Sequence, residues 1–132
     1  MQPMWTEELA PVVATDAAGS IRLHVLVTVT GVGGDAVHAT VRLDGELCAA
    51  TTPVVTGELE RMLALGVRDY RFELDRLRLC TSTGIDLWVE CATRVLPRGG
   101  DVRLSGASGV VRRALDAVDV DDSATVRRRP GH

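Results

Sequence analysis

Two stretches in the first third of the chain alternate between apolar and polar positions. Apolar residues occupy every second position of 21–29, and the alternation returns over 38–43 after a glycine-rich segment at 31–35. A period of two is typical of a strand with one buried face, and a glycine-rich connection between two such stretches favours a β-hairpin. The second strand is expected to end near 44–48.

Three later stretches repeat their apolar residues with the period of a helix. The first helix is predicted over 53–65, with Thr52 as its N-cap and Pro53 in its first turn, where a proline is well tolerated. The second is expected to end at Pro97, and the third is predicted over 109–118. Each has one apolar stripe, which indicates packing against a common core.

The segments between these helices are shorter and less regular. A strand is predicted at 69–74, followed by a turn at 75–76, an extended piece leading to Cys80, and a last strand at 101–104. The resulting order is β, β, α, β, α, β, α. Because the strands alternate rather than being apolar throughout, we predict an α/β fold with four to five strands in one mixed sheet and three helices packed mainly on one face.

The chain divides into three parts by pattern. Residues 1–20 show no clear period and are interpreted as a loose N-terminal arm. Residues 21–120 form the predicted domain, and 132 residues in total are enough for one hydrophobic core. Residues 121–132, which include an arginine run, are interpreted as a disordered tail.

Composition narrows the class of protein. The net charge of −3 argues against a nucleic-acid-binding protein, which is normally strongly basic. No apolar run reaches the roughly 18 residues of a membrane span, so membrane insertion is not expected. The first residues lack the features of a signal peptide, and we expect a soluble protein of the cytoplasm. Aromatic residues are few, which predicts a largely aliphatic core.

The cysteines give no sign of a metal or a disulfide framework. Their number is odd, and no C-x-x-C pattern relates Cys48, Cys80 and Cys91. Buried, reduced thiols are the expectation, and neither a metal nor a cofactor is predicted.

Three consecutive hydroxyl residues mark the start of the second helix. Thr81, Ser82 and Thr83 follow an apolar strand end and precede Gly84. A helix N-terminus has free N–H groups and the positive end of the helix dipole, so a phosphate is well tolerated there. Two interpretations stay open at this point. The cluster is a phosphorylation site, or Thr83 is only an N-cap that forms a capping box with Asp86.

The order of elements and three local patterns together resemble the STAS domain of anti-sigma factor antagonists. The first pattern is V-R-L-D-G-E-L at 41–47, where the family typically has G-E-L-D. The second is F-E-L at 72–74 followed by T-S-T-G at 81–84, where the family has D-S-S-G. The third is the G-G-x-V-x-L strand and the following helix within 99–115. The resemblance covers about residues 22–120 and implies a STAS-like fold.

The resemblance also implies a function for the hydroxyl cluster. The phosphate acceptor of the family corresponds to Thr83, with Ser82 as the second candidate and Thr81 as the third. Two aspartates of the family motifs are replaced, one by Cys48 and the other by Thr81. The implied partner is an anti-sigma factor that is also a serine-protein kinase.

A partner surface around the acceptor follows from the same resemblance. We expect Cys48, Thr81, Ile85, Asp86 and Trp88 to contact the partner. A phosphate would add about −1.5 to −2 charges, and binding would then require removing water from a dianion. Phosphorylation would therefore release the partner without a change of fold. We expect a monomer or a weak homodimer.

Two alternative functions belong to other classes of protein. STAS-like proteins also serve as accessory subunits of lipid-transporting ABC systems, in which the protein would dock on the transporter ATPase without being phosphorylated. An enzyme is not expected, because no histidine lies near the hydroxyl cluster and neither a G-x-S-x-G nor a P-loop pattern occurs.

Overall fold

One mixed sheet and three α-helices make up the described part of the chain. The structure is a computed structural model and describes residues 2–107 and 109–116. The predicted tail at 121–132 lies outside these residues. In chain order the elements are β1 (Met4–Glu8), β2 (Val12–Thr15), β3 (Ile21–Val32), β4 (Asp35–Leu47), α1 (Thr52–Ala64), β5 (Asp69–Cys80), α2 (Ser82–Val95), a 3₁₀ turn (Leu96–Arg98), β6 (Asp101–Ser105) and α3 (Gly109–Asp116).

The sheet has the order β1-β3-β4-β5-β6. β2 also pairs with β3, along a different part of that strand from β1. β1 and β2 run antiparallel to β3, and β3 and β4 form the predicted antiparallel hairpin. β5 and β6 continue the sheet in parallel with β4. A parallel neighbour requires a crossover connection, and α1 and α2 are those connections. The predicted mixed sheet with three helices is confirmed.

The sheet contains six strands rather than four to five, because β1 and β2, which lie within residues 4–15, are part of it. The expected loose arm is therefore wrong: β1 pairs with residues 28–32 and β2 with residues 21–25. Both are short edge strands. An edge strand buries little of either face, so its sequence does not need the alternation that identified β3 and β4.

Helices cover one face of the sheet, and the other face is open. Along β3, Leu23, Val25, Val27 and Val29 are buried, and the residues between them are half-buried or exposed. The same alternation runs along β4. The helix side therefore holds the core, as the alternating strands predicted.

The core is mostly aliphatic, as expected, but its largest members are aromatic. The three fully buried side chains of largest volume are Trp88, Tyr70 and Phe72. The Phe72 and Trp88 rings lie 6.1 Å apart at an angle of 60°, a tilted arrangement that is favourable for aromatic pairs. Only Trp5 among the four aromatic residues is partly exposed.

β5 is one continuous strand, and the turn predicted at 75–76 is wrong. Its pairing with β4 shifts register twice, between Arg42 and Asp44 and again between Gly45 and Glu46. At each shift β5 has one more residue than β4, which is the mark of a β-bulge. The bulges interrupt the apolar alternation of β5, and that interruption resembles a turn in the sequence.

The helices begin and end close to their predicted positions. α1 starts one residue early, with Thr51 rather than Thr52 as its N-cap and with Pro53 in its first turn. The third helix is described as far as Asp116. Ser108, which the sequence suggests as its N-cap because it is a serine directly before the helix, lies outside the described residues. None of the described helices is long and apolar enough to cross a membrane.

Candidate functional site

Two loops meet where the parallel strands β4 and β5 end. Leu47, the last residue of β4, is the register partner of Cys80, the last residue of β5. The Thr81 N–H donates a hydrogen bond of 3.0 Å to the Leu47 carbonyl. Ligand and partner sites in α/β folds tend to lie at the carboxyl ends of parallel strands. The β4–α1 loop and the start of α2 therefore form the candidate site.

α2 begins earlier than the capping-box interpretation predicted. Its N-cap is Thr81, and Ser82 and Thr83 are its first two residues. Thr83 is therefore not the N-cap, and the predicted capping box with Asp86 is wrong. The backbone N–H groups of Gly84 and Ile85 both bond to the Thr81 carbonyl, which closes the first turn.

Thr81 occupies the cap position without capping through its side chain. Its hydroxyl makes no capping hydrogen bond, and Oγ1 is buried without a hydrogen-bond partner among the described residues. The N–H groups of the first two helical residues lie outside the intrahelical pattern and are free to bind an anion. The Thr81 hydroxyl itself is inaccessible, so as a phosphate acceptor it is the weakest of the three candidates.

Ser82 and Thr83 are both exposed on the first turn of α2. A phosphate on either hydroxyl would lie close to the free N–H groups and the positive end of the helix dipole. A kinase could reach both side chains from solvent. The geometry is therefore compatible with a phosphate acceptor at either position, with Thr83 at the position that the resemblance implies.

Ile85 and Trp88 do not belong to the partner surface that was predicted for them. Ile85 is 5% exposed and Trp88 is 1% exposed. Both lie on the apolar stripe of α2, which faces the sheet because that is where apolar area is removed from water. Proximity in sequence to Thr83 does not place a residue on the same surface, because successive residues of a helix point in different directions.

The predicted residues that remain accessible form a smaller surface. Cys48 is half-buried in the β4–α1 loop, and Asp86 is exposed one turn after the start of α2. Together with Ser82 and Thr83, these residues define what we call the two-loop surface. Thr81, which is half-buried as a residue, also lies at this surface.

Gly84 brings the two loops into close contact, which the sequence did not indicate. A Cβ at this position would lie 2.8 Å from the Cγ and Cδ2 of Leu47 and 3.1 Å from the Cys80 Sγ. Only a residue without a side chain allows the first turn of α2 to pack this closely against the end of β4. The glycine that follows the hydroxyl cluster is therefore explained by packing.

The two remaining cysteines, Cys80 at the end of β5 and Cys91 further along α2, are buried as free thiols. Burial raises the pKa of Cys80 to about 12, and burial likewise raises the pKa of Cys91 to about 12. Neither thiol is a reactive thiolate at neutral pH. Among the described residues, no group of histidine, cysteine and acidic side chains is arranged to hold a metal ion.

We expect the protein to lose stability as the pH rises from 9 to 10. In the unfolded chain both thiols ionise near the ordinary pKa of 9.0, whereas in the folded protein they stay neutral up to about 12. Their contribution is thus fully present below pH 9 and is lost as the pH rises towards 12, by on the order of 1 kcal/mol per thiol per pH unit. Urea denaturation at pH 7.5, 9 and 10 measures the fall.

The chain suits this measurement because all fifteen of its basic residues are arginine. No lysine titrates in the same pH range. Burial also raises the pKa of Tyr70, so the tyrosine of the unfolded chain, with its ordinary pKa of 10.0, adds a smaller loss that begins only near pH 10. Cys48→Ala should retain the alkaline fall, and the double variant Cys80→Ala/Cys91→Ala should remove most of it. An equal fall in the double variant would contradict the assignment.

Comparison with known proteins agrees with this geometry. No curated protein sequence gives a significant match to the chain. The solved structure titled "Structure of the Anti-Sigma Factor Antagonist SpoIIAA in its Unphosphorylated Form" matches with a TM-score of 0.54 at 19% identity, over 67% of this chain and 79% of that chain. The family model for the STAS domain matches residues 27–130. The chain therefore belongs to the STAS domain family.

Proposed function

We propose that this protein is a regulatory interaction module of the anti-sigma factor antagonist type. It binds an anti-sigma factor that is also a serine-protein kinase, acts in the cytoplasm, and performs no catalysis itself. One observation carries the proposal: two exposed hydroxyls, those of Ser82 and Thr83, lie on the first turn of α2, at the family's acceptor position. STAS membership and the fold shared with SpoIIAA support it.

The proposed partner site is the two-loop surface. It is formed by a strand-end loop and a helix start that are tied together by the Thr81–Leu47 backbone hydrogen bond, so its shape is largely set before a partner arrives. A pre-formed surface loses less conformational entropy on binding than a flexible one. The surface presents Cys48 and hydroxyls, with Asp86 as its only charged member, so an added phosphate would change its electrostatics strongly.

Phosphorylation is the proposed off-switch. Thr83 is the first candidate acceptor, and Ser82 is the second. The phosphate would bring about −1.5 to −2 charges to the first turn of α2, one turn before the exposed carboxylate of Asp86. The helix dipole would stabilise the phosphate in the free protein. A partner covering the site would have to remove its water, so phosphate disfavours the bound state specifically.

We expect Thr83→Glu to weaken binding to the anti-sigma factor at least about tenfold, because the carboxylate mimics part of the phosphate charge. Thr83→Val is the matched control: it removes the hydroxyl, adds no charge, and should retain binding. Each anti-sigma factor kinase of the source organism is purified and titrated with the wild type and with each variant, and calorimetry measures the affinity. Incubation of the wild type with ATP and the bound kinase, followed by mass spectrometry, locates the phosphate.

Two results would overturn this proposal. The first is full binding by Thr83→Glu together with the absence of phosphate from residues 81–83. The second is binding of the wild type to a transporter ATPase and to none of the anti-sigma factors. The second result would establish the alternative function, a constitutive accessory subunit of an ABC transporter. The replacement of two family aspartates by Cys48 and Thr81 is the observation that favours this alternative.

A further inference from the structure

The loop from Cys48 to Thr51 is held by one buried hydroxyl. Thr51 is 0% exposed, and its Oγ1 donates a hydrogen bond of 2.8 Å to the Glu46 carbonyl. The same oxygen accepts a hydrogen bond of 3.0 Å from the Cys48 N–H. Thr51 is the N-cap of α1, yet its side chain makes no capping bond to the helix. The hydroxyl is used for the loop instead.

Thr52 binds the other backbone polar group of Cys48, its carbonyl. Its hydroxyl donates a hydrogen bond of 2.6 Å to the Cys48 carbonyl, and its backbone N–H bonds to that carbonyl at 2.8 Å. The Thr51 N–H bonds to it as well, at 3.0 Å. Both backbone polar groups of Cys48 are therefore bonded to residues 51 and 52. This fixes the backbone from which the Cys48 side chain extends.

The fixed loop is coupled directly to the start of α2. Leu47 precedes Cys48, and its carbonyl accepts the hydrogen bond from the Thr81 N–H. The Leu47 side chain packs where Gly84 leaves room for it. A change in the backbone at 46–48 would therefore move one half of the two-loop surface relative to the other.

We propose that Thr51 is a positioning residue of the partner site. Its hydroxyl holds the Cys48 loop beside the first turn of α2, so partner affinity depends on a side chain that the partner cannot touch. The inference rests on the proposed function and extends it from the acceptor to the loop beside it. The physical reason is preorganisation, since a loop ordered before binding loses less entropy in the complex.

The hydrogen bond to Cys48 can be tested in the unmodified protein by amide exchange. We expect the Cys48 N–H to exchange at least about tenfold more slowly than an unstructured amide of the same sequence, because a buried hydroxyl accepts from it. Exchange of the Cys48 amide at the unstructured rate would overturn the proposal without any substitution.

Two substitutions at Thr51 separate the hydroxyl from the shape of the side chain. Thr51→Val keeps the branched shape but leaves the Glu46 carbonyl and the Cys48 N–H without their partner. We expect Thr51→Val to lose Cys48 amide protection about tenfold. Its affinity for the same purified anti-sigma factor should also fall about tenfold. Thr51→Ser keeps the hydroxyl and should retain both. Equal loss in the serine variant would overturn the proposal.

Val55→Ala controls for general destabilisation. Val55 is 0% exposed in α1 and takes no part in the Cys48 hydrogen bonds, so its truncation should lower global stability while keeping loop protection and affinity. If Val55→Ala weakens binding as much as Thr51→Val, or if Thr51→Val opens the loop without loss of affinity, Thr51 is not a positioning residue. If the wild type binds no anti-sigma factor, the proposed function fails, and the exchange rates still decide whether the Thr51 hydroxyl orders the loop.

Discussion

Trp88→Ala is expected to lower the free energy of unfolding by about 3–5 kcal/mol, the usual effect of removing a large aromatic side chain from a core. Trp88 is 1% exposed and packs against Phe72. Because small domains are stable by only about 5–15 kcal/mol, the variant should be close to unfolding at ambient temperature. Urea denaturation followed by far-ultraviolet circular dichroism measures the loss without needing the missing indole.

Two controls distinguish a core residue from a partner contact. Trp88→Phe should be much milder, because it keeps a ring against Phe72 and removes an indole N–H that has no hydrogen-bond partner among the described residues. Trp5→Ala should also be milder, since Trp5 is only partly buried. A Trp88→Ala protein with wild-type stability that fails to bind its partner would restore the surface role that the sequence suggested.

Gly45→Ala is expected to destabilise the protein by about 2–6 kcal/mol. Gly45 has a φ of +128°, and a side chain in such a conformation costs about 1–3 kcal/mol. A Cβ there would also lie 2.2 Å from the Arg22 carbonyl oxygen on β3, and backbone shifts that relieve such contacts cost about another 1–3 kcal/mol. Thermal and urea unfolding measure the sum.

Gly57→Ala is the matched control for this prediction. Gly57 lies on the exposed side of α1, and a Cβ there would meet nothing within 4 Å. Alanine is favoured over glycine in a helix interior, so this variant should gain about 0.5–1 kcal/mol. Wild-type stability of Gly45→Ala, measured beside the gain in Gly57→Ala, would show that the β4 backbone relaxes at position 45.

Close packing at two glycines explains part of the family motifs in physical terms. Gly45 stands in the V-R-L-D-G-E-L pattern, where β4 shifts its register against β5 and passes close to β3. Gly84 closes the T-S-T-G pattern, where α2 packs on Leu47. The motifs that identified the resemblance therefore include backbone positions at which a side chain does not fit. These positions bring the hydroxyls at the start of α2 close to the Cys48 loop.

The sequence alone was sufficient for the main elements of the sheet and the helices. The alternation over 21–29 and 38–43 and the three apolar stripes arise from local periodicity, which a buried face imposes on any strand or helix. These signals survive in the sequence because each element buries one face along most of its length. The position of the hydroxyl cluster at a strand-to-helix junction follows from the same pattern.

Tertiary structure alone decided the features that depend on contacts between distant segments. β1 and β2 are strands because β3 offers them an edge, and β5 is continuous because bulges absorb its two register shifts against β4. Neither effect leaves a period in the sequence. The burial of Ile85 and Trp88 likewise depends on which side of α2 meets the sheet.

The candidate site shows the same division. Its hydroxyls, Ser82 and Thr83, were identified from the sequence, because a helix start has a recognisable chemistry. The role of Thr51 was not identified from the sequence. Its hydroxyl bonds to backbone groups of Glu46 and Cys48, and the path of the loop, not the residue type, brings these groups within reach. Local pattern determined where the site lies in this protein, and long-range packing determined which side chains face the solvent there and which hold it in shape.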